Sequence, residues 1–245
     1  MIELTDVSVR FGHRLVLDRI SLAVPTGARF GIIGPAAGGK SVLLKVMAGL
    51  VPPTSGRIAI DGVDVTGWSE ERLAPVRARI GMLFQNYALF DFLTVGDNVG
   101  FPLVQRGVAD DERRTRIDER LRAVGLGGHD QRWPSQLSGG MKKRVGIARA
   151  TTAHPELVLY DEPTAGLDPV TTSKMYELLR ADHDRTGATA IAVSSDVAAL
   201  CGFVDHALFL YQGRAYHQGP AAALADADDP LVRQFVRGEL EGPIT

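Results

Sequence analysis

A short glycine-rich segment restricts the possible folds of this chain more than any other feature. Residues 34–41 read Gly-Pro-Ala-Ala-Gly-Gly-Lys-Ser, which satisfies the pattern G-x-x-x-x-G-K-S. The segment follows a short apolar run at 29–33 and precedes helical spacing at 41–50, so a strand, a tight turn and a helix are predicted in that order. The backbone N–H groups of such a turn and the N-terminus of the helix attract phosphate. The motif therefore predicts a phosphate-binding loop, although a chance glycine-rich turn is the alternative.

The side chains of this loop indicate a more specific chemistry. Lys40 is expected to reach the β- and γ-phosphates of ATP, and Ser41 is expected to bind Mg²⁺. Small neighbouring residues allow the backbone to curl around the phosphates. The residues predicted to contact the nucleotide here are Gly34, Pro35, Ala36, Ala37, Gly38, Gly39, Lys40, Ser41 and Val42.

Two acids lie far downstream at the end of another apolar run. Residues 157–160 read Leu-Val-Leu-Tyr, and Asp161 and Glu162 follow directly. Asp161 suits the water shell of Mg²⁺, and Glu162 can polarise an attacking water as a general base. Alone, such a pair also fits a solvated strand end. Together with the phosphate loop, it predicts an ATP-hydrolysing site.

The remaining patterns indicate how the chain is organised. Residues 2–9 and 15–24 alternate apolar and polar positions, which is typical of antiparallel strands. Residues 157–193 show a strand, a helix and a second strand, an arrangement that favours a parallel sheet. We therefore predict a single α/β domain over 1–245, a phosphate-loop NTPase core with an antiparallel β subdomain. A helical subdomain is expected at about 95–153, and a C-terminal helix and tail at about 226–245.

Charge, cysteine content and hydropathy narrow the possible partners. The 27 basic and 29 acidic residues give a net charge of −2, which disfavours nucleic acid as a partner. The single cysteine, Cys201, excludes an internal disulfide and is expected to be a buried, inert thiol. No apolar run reaches the ~18 residues of a spanning helix, and the first residues do not resemble a signal peptide. The chain is expected to reach a membrane through a partner.

A second motif carries a family resemblance. Residues 137–141 read Leu-Ser-Gly-Gly-Met, which resembles the LSGGQ signature of the ABC ATPases. The resemblance implies that Ser138, Gly139 and Gly140 contact the γ-phosphate of ATP bound to a second copy of the chain. It also implies a head-to-tail dimer that encloses two ATP molecules, because one domain carries only one loop and one signature.

Other ABC elements can be placed by the same resemblance. Gln85 resembles the Q-loop glutamine, which senses Mg²⁺ and the attacking water and couples to a membrane permease. Asp168 resembles the D-loop aspartate, and Phe11 resembles the aromatic residue that stacks on adenine, although simple packing is the alternative for Phe11. The family implies integral-membrane permease subunits as partners. It also implies a peripheral location on the cytoplasmic face of the inner membrane.

A narrower resemblance concerns the substrate. Residues 82–90, with Val95, Asn98 and Phe101, resemble the ATPase subunits of the Mla (maintenance of lipid asymmetry) phospholipid transporters, and so does the ending around 232–244. This implies a substrate-binding protein of the MCE type and transport of phospholipid or another hydrophobic molecule across a bacterial envelope. The alternative is that these segments are ordinary packing shared with importers of other solutes.

Two positions depart from the family pattern. Ser195 stands where a switch histidine usually bridges the γ-phosphate and the catalytic water, and a serine hydroxyl is shorter and carries no positive charge. We expect slower hydrolysis, and a weakly hydrolysing ATP clamp is the alternative. Ala37 stands where glycine is usual in the loop, and neighbouring Gly38 is expected to absorb the strain.

Overall fold

The computed structural model describes residues 1–244, which divide into two compact units. The first unit contains residues 1–73 and 189–244, and the second contains residues 74–188. The chain therefore leaves the first unit once and returns to it.

The first unit contains a four-stranded antiparallel sheet. β1 (Ile2–Phe11) pairs with β2 (Arg14–Val24) around a turn at Gly12, as the alternating pattern predicts. Alternate side chains of β1 are buried at its beginning, so one face of the strand contributes to the core. The other strands are β4 (Ser55–Ile60) and β5 (Val63–Asp64), and the strand order is β2-β1-β4-β5.

The same unit contains the strand that precedes the phosphate loop. β3 (Arg29–Ile33) is parallel to β8 (Thr189–Val193) on one side and to β9 (His206–Tyr211) on the other. The last four residues of β3 and all of β8 are buried, as expected for parallel strands covered on both faces. Each fully buried Ile or Phe here contributes about 1.5–3 kcal/mol of hydrophobic stabilisation. Parallel pairing places the carboxyl ends of β3, β8 and β9 at one edge.

Helices and a final hairpin complete the first unit. α1 (Lys40–Met47) contacts β8, and α7 (Val197–Cys201) contacts β3. Cys201 is half-buried, and burial raises the pKa of its thiol, which fits an inert cysteine. The last elements are β10 (Arg214–Pro220), antiparallel to β9, a 3-10 helix (Ala221–Asp226) and α8 (Pro230–Arg237).

The second unit combines two parallel strands with helices. β6 (Ile80–Leu83) pairs with β7 (Leu157–Asp161), so their carboxyl ends also share an edge. The helices are α3 (Val95–Gln105), α4 (Asp110–Ala123), a 3-10 helix (Pro134–Gln136), α5 (Gly139–Thr151) and α6 (Pro169–Thr186). Within the region predicted to be helical, α3 contacts both α4 and α5, and α5 also contacts β6.

One helix has no counterpart among the sequence predictions. α2 (Glu70–Ala78) contains Pro75 and has no buried residue, so its sequence has no apolar stripe to reveal it. The boundary between the two units falls within this helix.

Candidate functional site

The phosphate loop begins where β3 ends, at the edge formed by the carboxyl ends of the parallel strands β3, β8 and β9. Gly34 has φ 148, and a Cβ at this position would lie 2.1 Å from the backbone oxygen of Leu210. Only glycine fits this approach of two backbones. At the other end of the loop, Gly39 caps α1 in the left-handed conformation, φ 98. The loop therefore delivers the chain directly into a helix N-terminus, where N–H groups are available for an anion.

Lys40 is the first residue of α1 and folds back over its own loop. Its side-chain nitrogen donates to the backbone oxygen of Gly34 at 2.7 Å and to that of Pro35 at 2.9 Å, and the residue is only 7% exposed. A buried ammonium group above an N-terminal turn is an arrangement that fits a bound phosphate. Ser41 follows in the first turn of α1 and is half-buried. The loop therefore fits a bound phosphate group, with Ser41 next to it on α1.

Ala37 adopts the conformation that glycine would adopt more easily. Its φ is 58, in the left-handed region, whereas Gly38 does not have a positive φ. The expectation that Gly38 absorbs the strain is therefore wrong, and Ala37 itself carries it. Gly38 donates its N–H to the carbonyl oxygen of Pro35 at 3.2 Å, which closes the turn around Ala37.

We predict that Ala37→Gly stabilises the nucleotide-free chain. The left-handed region costs an alanine about 1–2 kcal/mol, and the greater freedom of glycine in the unfolded chain returns about 0.5–1 kcal/mol of this. The free energy of unfolding should rise by about 0.5–1 kcal/mol, or about 1–3 °C in Tm. Thermal unfolding checks this, and Ala36→Gly, at a position without positive φ, should lower Tm instead. A lower Tm for both variants would contradict the prediction.

Two further predicted residues lie in the first unit. Ser195 comes two residues after β8, at the carboxyl edge where the phosphate loop follows β3, because Ile32 of β3 pairs with Val193 of β8. It is exposed, whereas neighbouring Ser194 is buried and accepts a hydrogen bond from the backbone of Asp196. Phe11 ends β1 with 52% of its surface exposed. An aromatic ring with that exposure can stack on a base.

The paired acids lie in the second unit, at the end of β7. Every residue of this strand is buried, and Asp161 is its last residue. Glu162 follows at 9% exposure, with its backbone in the left-handed region at φ 51. A glutamate with this backbone is uncommon and is found where the surrounding structure fixes it. Parallel pairing of Leu83 with Tyr160 places Gln85, in the turn after β6, at the same edge as the acids.

The signature residues form the beginning of α5. Ser138 is the N-cap, and its hydroxyl oxygen accepts a hydrogen bond from the backbone N–H of Met141 at 3.3 Å. Gly139 and Gly140 form the first turn and expose backbone N–H groups that have no partner within a helix. The predicted position of this motif at a helix N-terminus is confirmed.

Asp168 is likewise the N-cap of a helix, α6. Its carboxylate accepts from the backbone N–H of Thr171 at 3.0 Å and from the hydroxyl of Thr171 at 2.5 Å. These hydrogen bonds lower the pKa of Asp168. The predicted D-loop aspartate is therefore an ionised cap on the segment that follows Glu162.

The Q-loop is held by residues to which the sequence analysis gave no structural role. Tyr87 and Ala88, just after Gln85, have φ values of 62 and 49. The guanidinium group of Arg149 on α5 donates to both of their carbonyl oxygens, at 2.8 and 2.7 Å. Burial lowers the pKa of Arg149. Farther along, the side-chain nitrogen of the fully buried Asn98 lies within hydrogen-bond distance of three carbonyl oxygens, which share its two hydrogens, and its side-chain oxygen accepts from a backbone N–H, so α3 also holds this segment.

An apolar groove of about 610 Å³ lies beside the Q-loop, within the second unit. Its walls come from the end of α2 and from β6, α3 and α5, and three of its lining residues are aromatic. The aromatic and cationic residues around it are Phe84, Phe90, Phe101, Arg77, Arg106 and Arg149. Such a groove has the size and chemistry to receive a short segment of another protein.

The structure thus describes the predicted site residues as two groups. The first unit holds the phosphate loop, Phe11 and Ser195, and the second holds the acids, the Q-loop, the signature and Asp168. Among residues 1–244, no helix is long and apolar enough to cross a bilayer.

Comparison with known proteins gives consistent matches. Residues 17–165 match the family described as ABC transporter. Over its whole length the chain is 38% identical to the intermembrane phospholipid transport system ATP-binding protein MlaF of Escherichia coli K12, covering 91% of that protein. It is 40% identical to protein TRIGALACTOSYLDIACYLGLYCEROL 3, chloroplastic, of Arabidopsis thaliana, covering 75% of it. It is also 41% identical, over 97% of its length, to the methionine import ATP-binding protein MetN of Rhizobium etli.

Solved structures match as well. The dimeric structure of MJ0796, a bacterial ABC transporter cassette, superposes with a TM-score of 0.84 at 31% identity, covering 90% of this chain and 99% of that one. A dimeric post-hydrolysis state of MJ0796 bound to ADP and Pi matches equally well, at 30% identity. These likenesses confirm the predicted fold class, an α/β phosphate-loop NTPase with an antiparallel β part and a helical part.

Proposed function

This chain belongs to the ABC transporter family as an ATP-binding and ATP-hydrolysing subunit, and we propose that it powers the movement of phospholipid or another hydrophobic substrate across a bacterial envelope. The observation that carries the proposal is the full-length similarity to a protein named for phospholipid transport. A chloroplast relative whose name contains a galactolipid supports the same class of substrate.

Each candidate residue has a chemical role in the proposed reaction. Lys40 neutralises charge on the β- and γ-phosphates, and the amides at the start of α1 hold the same phosphates in place. Ser41, Gln85 and Asp161 are the residues that would hold Mg²⁺, directly or through water. When bound, Mg²⁺ would supply Lewis-acid stabilisation of the phosphoryl oxygens.

Glu162 is the proposed general base, which accepts a proton from the attacking water. Its burial at the end of β7 limits competing solvent, and its left-handed backbone sets the direction in which the side chain leaves the main chain. Phe11 stacks on adenine. Attack in line with the β,γ-bridging oxygen then yields ADP and phosphate.

We further propose that ATP is held between two copies of the chain. In this arrangement Ser138, Gly139 and Gly140 of one copy contact the γ-phosphate held by the phosphate loop of the other, and Asp168 lies near the same interface. Dimeric structures of MJ0796 support such a pair. The free N–H groups at the start of α5 suit this contact, because they favour an anion.

The apolar groove beside the Q-loop is proposed to receive the permease. Its position next to Gln85 would connect nucleotide-driven closure of the pair to the membrane subunits. The chain would then lie peripherally on the cytoplasmic face of the inner membrane, in a system that includes a substrate-binding protein of the MCE type. Phe84 and Phe90 line the groove and lie before and after Gln85 in sequence. Their position supports coupling between the Q-loop and a permease segment in the groove.

Transport of labelled lipid tests the substrate. The complex of the chain with its permease is placed in vesicles that contain a fluorescent phospholipid, and transfer to an acceptor MCE-type protein is followed with and without ATP. Transfer that requires ATP, and that is lost in a Glu162→Gln complex, is the expected result.

Similarity to MetN favours a second candidate, an importer of another solute. Turnover stimulated by methionine, without lipid transfer, would support that candidate instead.

Hydrolysis is proposed to be slow because of Ser195. Removal of one preorganised contact to a transition state costs on the order of 10²-fold in rate. We therefore predict that Ser195→His raises steady-state phosphate release by about 10-fold, with little change in ATP affinity. Ser194→His at the buried neighbour serves as the control and should not raise turnover. No gain from Ser195→His would contradict this explanation of slow turnover.

A further inference from the structure

Lys143 is a buried cation in the middle of α5, and no motif assigns it a role. The residue is only 2% exposed. Its side-chain nitrogen donates to the backbone oxygen of Glu162 at 3.1 Å and to that of Ala165 at 2.5 Å. Both acceptors are carbonyl oxygens. The ammonium group therefore holds the backbone of the segment that carries the proposed general base.

This placement is costly for the fold. Burial lowers the pKa of Lys143 to about 8, and the Glu162 carboxylate partly opposes this effect. An apolar side chain of similar length would fill the same space without desolvating a charge, but it would leave the carbonyl oxygens of Glu162 and Ala165 without this donor. The role of the lysine therefore depends on the segment that it holds.

The held segment is a tight turn in an unfavourable conformation. Glu162 has φ 51, and the N–H of Ala165 donates to the carbonyl oxygen of Glu162 at 3.3 Å. Lys143 bonds to both ends of this turn. A left-handed glutamate persists only where its surroundings fix it, and the direction of its carboxylate depends on that backbone. Lys143 is well placed to provide this restraint.

The same helix also reaches the Q-loop. The ammonium of Lys143 lies 6.0 Å from the centre of the Tyr87 ring, two residues beyond Gln85. Arg149, six residues along α5, holds the carbonyl oxygens of Tyr87 and Ala88. Two buried cations on one helix thus hold the backbones of two segments with positive φ values.

We propose that Lys143 is a positioning residue for ATP hydrolysis, which fixes the backbone of Glu162 and ties its orientation to α5, the helix capped by Ser138. This rests on the proposed role of Glu162 as general base. If α5 shifts when Ser138 binds nucleotide, the Lys143 ammonium group would transmit that displacement to the backbone of Glu162. Small displacements of a catalytic group lower the rate strongly, so the effect belongs in kcat rather than in ATP affinity.

Turnover of the complex with its permease tests the proposal. Lys143→Met is expected to lower kcat about 10-fold or more and to leave KM for ATP within about 2-fold. Lys143→Arg keeps a charged donor and should retain most of kcat. Lys174→Met, an exposed lysine on α6, is the matched control and should leave both constants unchanged. A higher KM with unchanged kcat, or no change at all, would overturn the proposal.

A double-mutant cycle separates action through Glu162 from other effects. In a Glu162→Gln background, Lys143→Met should cause no further loss of residual turnover, because the group that it positions is absent. An equal fold loss in both backgrounds overturns the proposal. If Lys143→Met does not fold, Lys143→Gln takes its place, and failure of both to fold makes Lys143 a stability residue only. Full turnover by Glu162→Gln alone would instead refute the proposed function of Glu162.

Discussion

Glu162→Gln is expected to lower ATP turnover by about 10³-fold while ATP still binds. General-base catalysis contributes about 10²–10⁴-fold, and glutamine has nearly the same shape as glutamate but accepts a proton poorly. Glu162 is buried and held by Lys143, so few alternative bases can reach the same water. Steady-state phosphate release and equilibrium nucleotide binding, measured on the complex with permease, check both parts.

The matched control for this variant is Glu177→Gln, at an exposed position on α6 of the same unit. It makes the same chemical change and should leave turnover unaltered. If the unaltered chain shows no turnover above Glu162→Gln, the chain uses ATP only as a clamp. That outcome would favour the alternative of a weakly hydrolysing ATP clamp, in which Ser195 in place of histidine makes hydrolysis too slow to measure.

Lys40→Met is expected to weaken ATP binding by about 10–10²-fold. The variant removes the only charge that the loop brings to the phosphates, and a hydrogen bond to a charged group is worth about 1.5–3 kcal/mol. Methionine fills the buried space, so the fold should persist. Titration calorimetry with ATP measures the change in Kd.

Lys45→Met provides the comparison for this prediction. Lys45 lies on the same helix, five residues farther along, and is half-buried at its last turn. Its replacement should change Kd for ATP by less than about 3-fold, since exposed or half-exposed charges far from a ligand contribute little. Equal losses for Lys40→Met and Lys45→Met would indicate damage to α1 rather than loss of a phosphate contact.

Local rules made the phosphate loop predictable from sequence. Glycine at position 34 indicates a close approach of two backbones, and the pair Lys40 and Ser41 indicates phosphate binding. The structure has the strand, turn and helix in the predicted order. The signature at the start of α5 was predictable for the same reason, because Ser138 is a favoured N-cap residue followed by small residues.

Long-range contacts to backbone atoms were not predictable. Lys143 contacts a carbonyl oxygen 19 residues away and Arg149 contacts one 61 residues away, and any residue type could provide such an oxygen. The sequence therefore carries no trace of these pairs. The strain at Ala37 was wrongly expected at Gly38 for a different reason, since the preference of glycine for a left-handed backbone is a tendency that the closed turn around Ala37 overrides.

The serine that begins α5 faces two demands at once. A hydroxyl group can donate one hydrogen and can accept through two lone pairs. Capping uses only the acceptor, because the N–H of Met141 donates to the hydroxyl oxygen of Ser138. In the proposed dimer the hydrogen is available to donate to a phosphate oxygen held by the second copy. Aspartate would cap this helix equally well but would repel that phosphate, so serine would allow one hydroxyl group both to stabilise its own helix and to bind the ligand of the other copy.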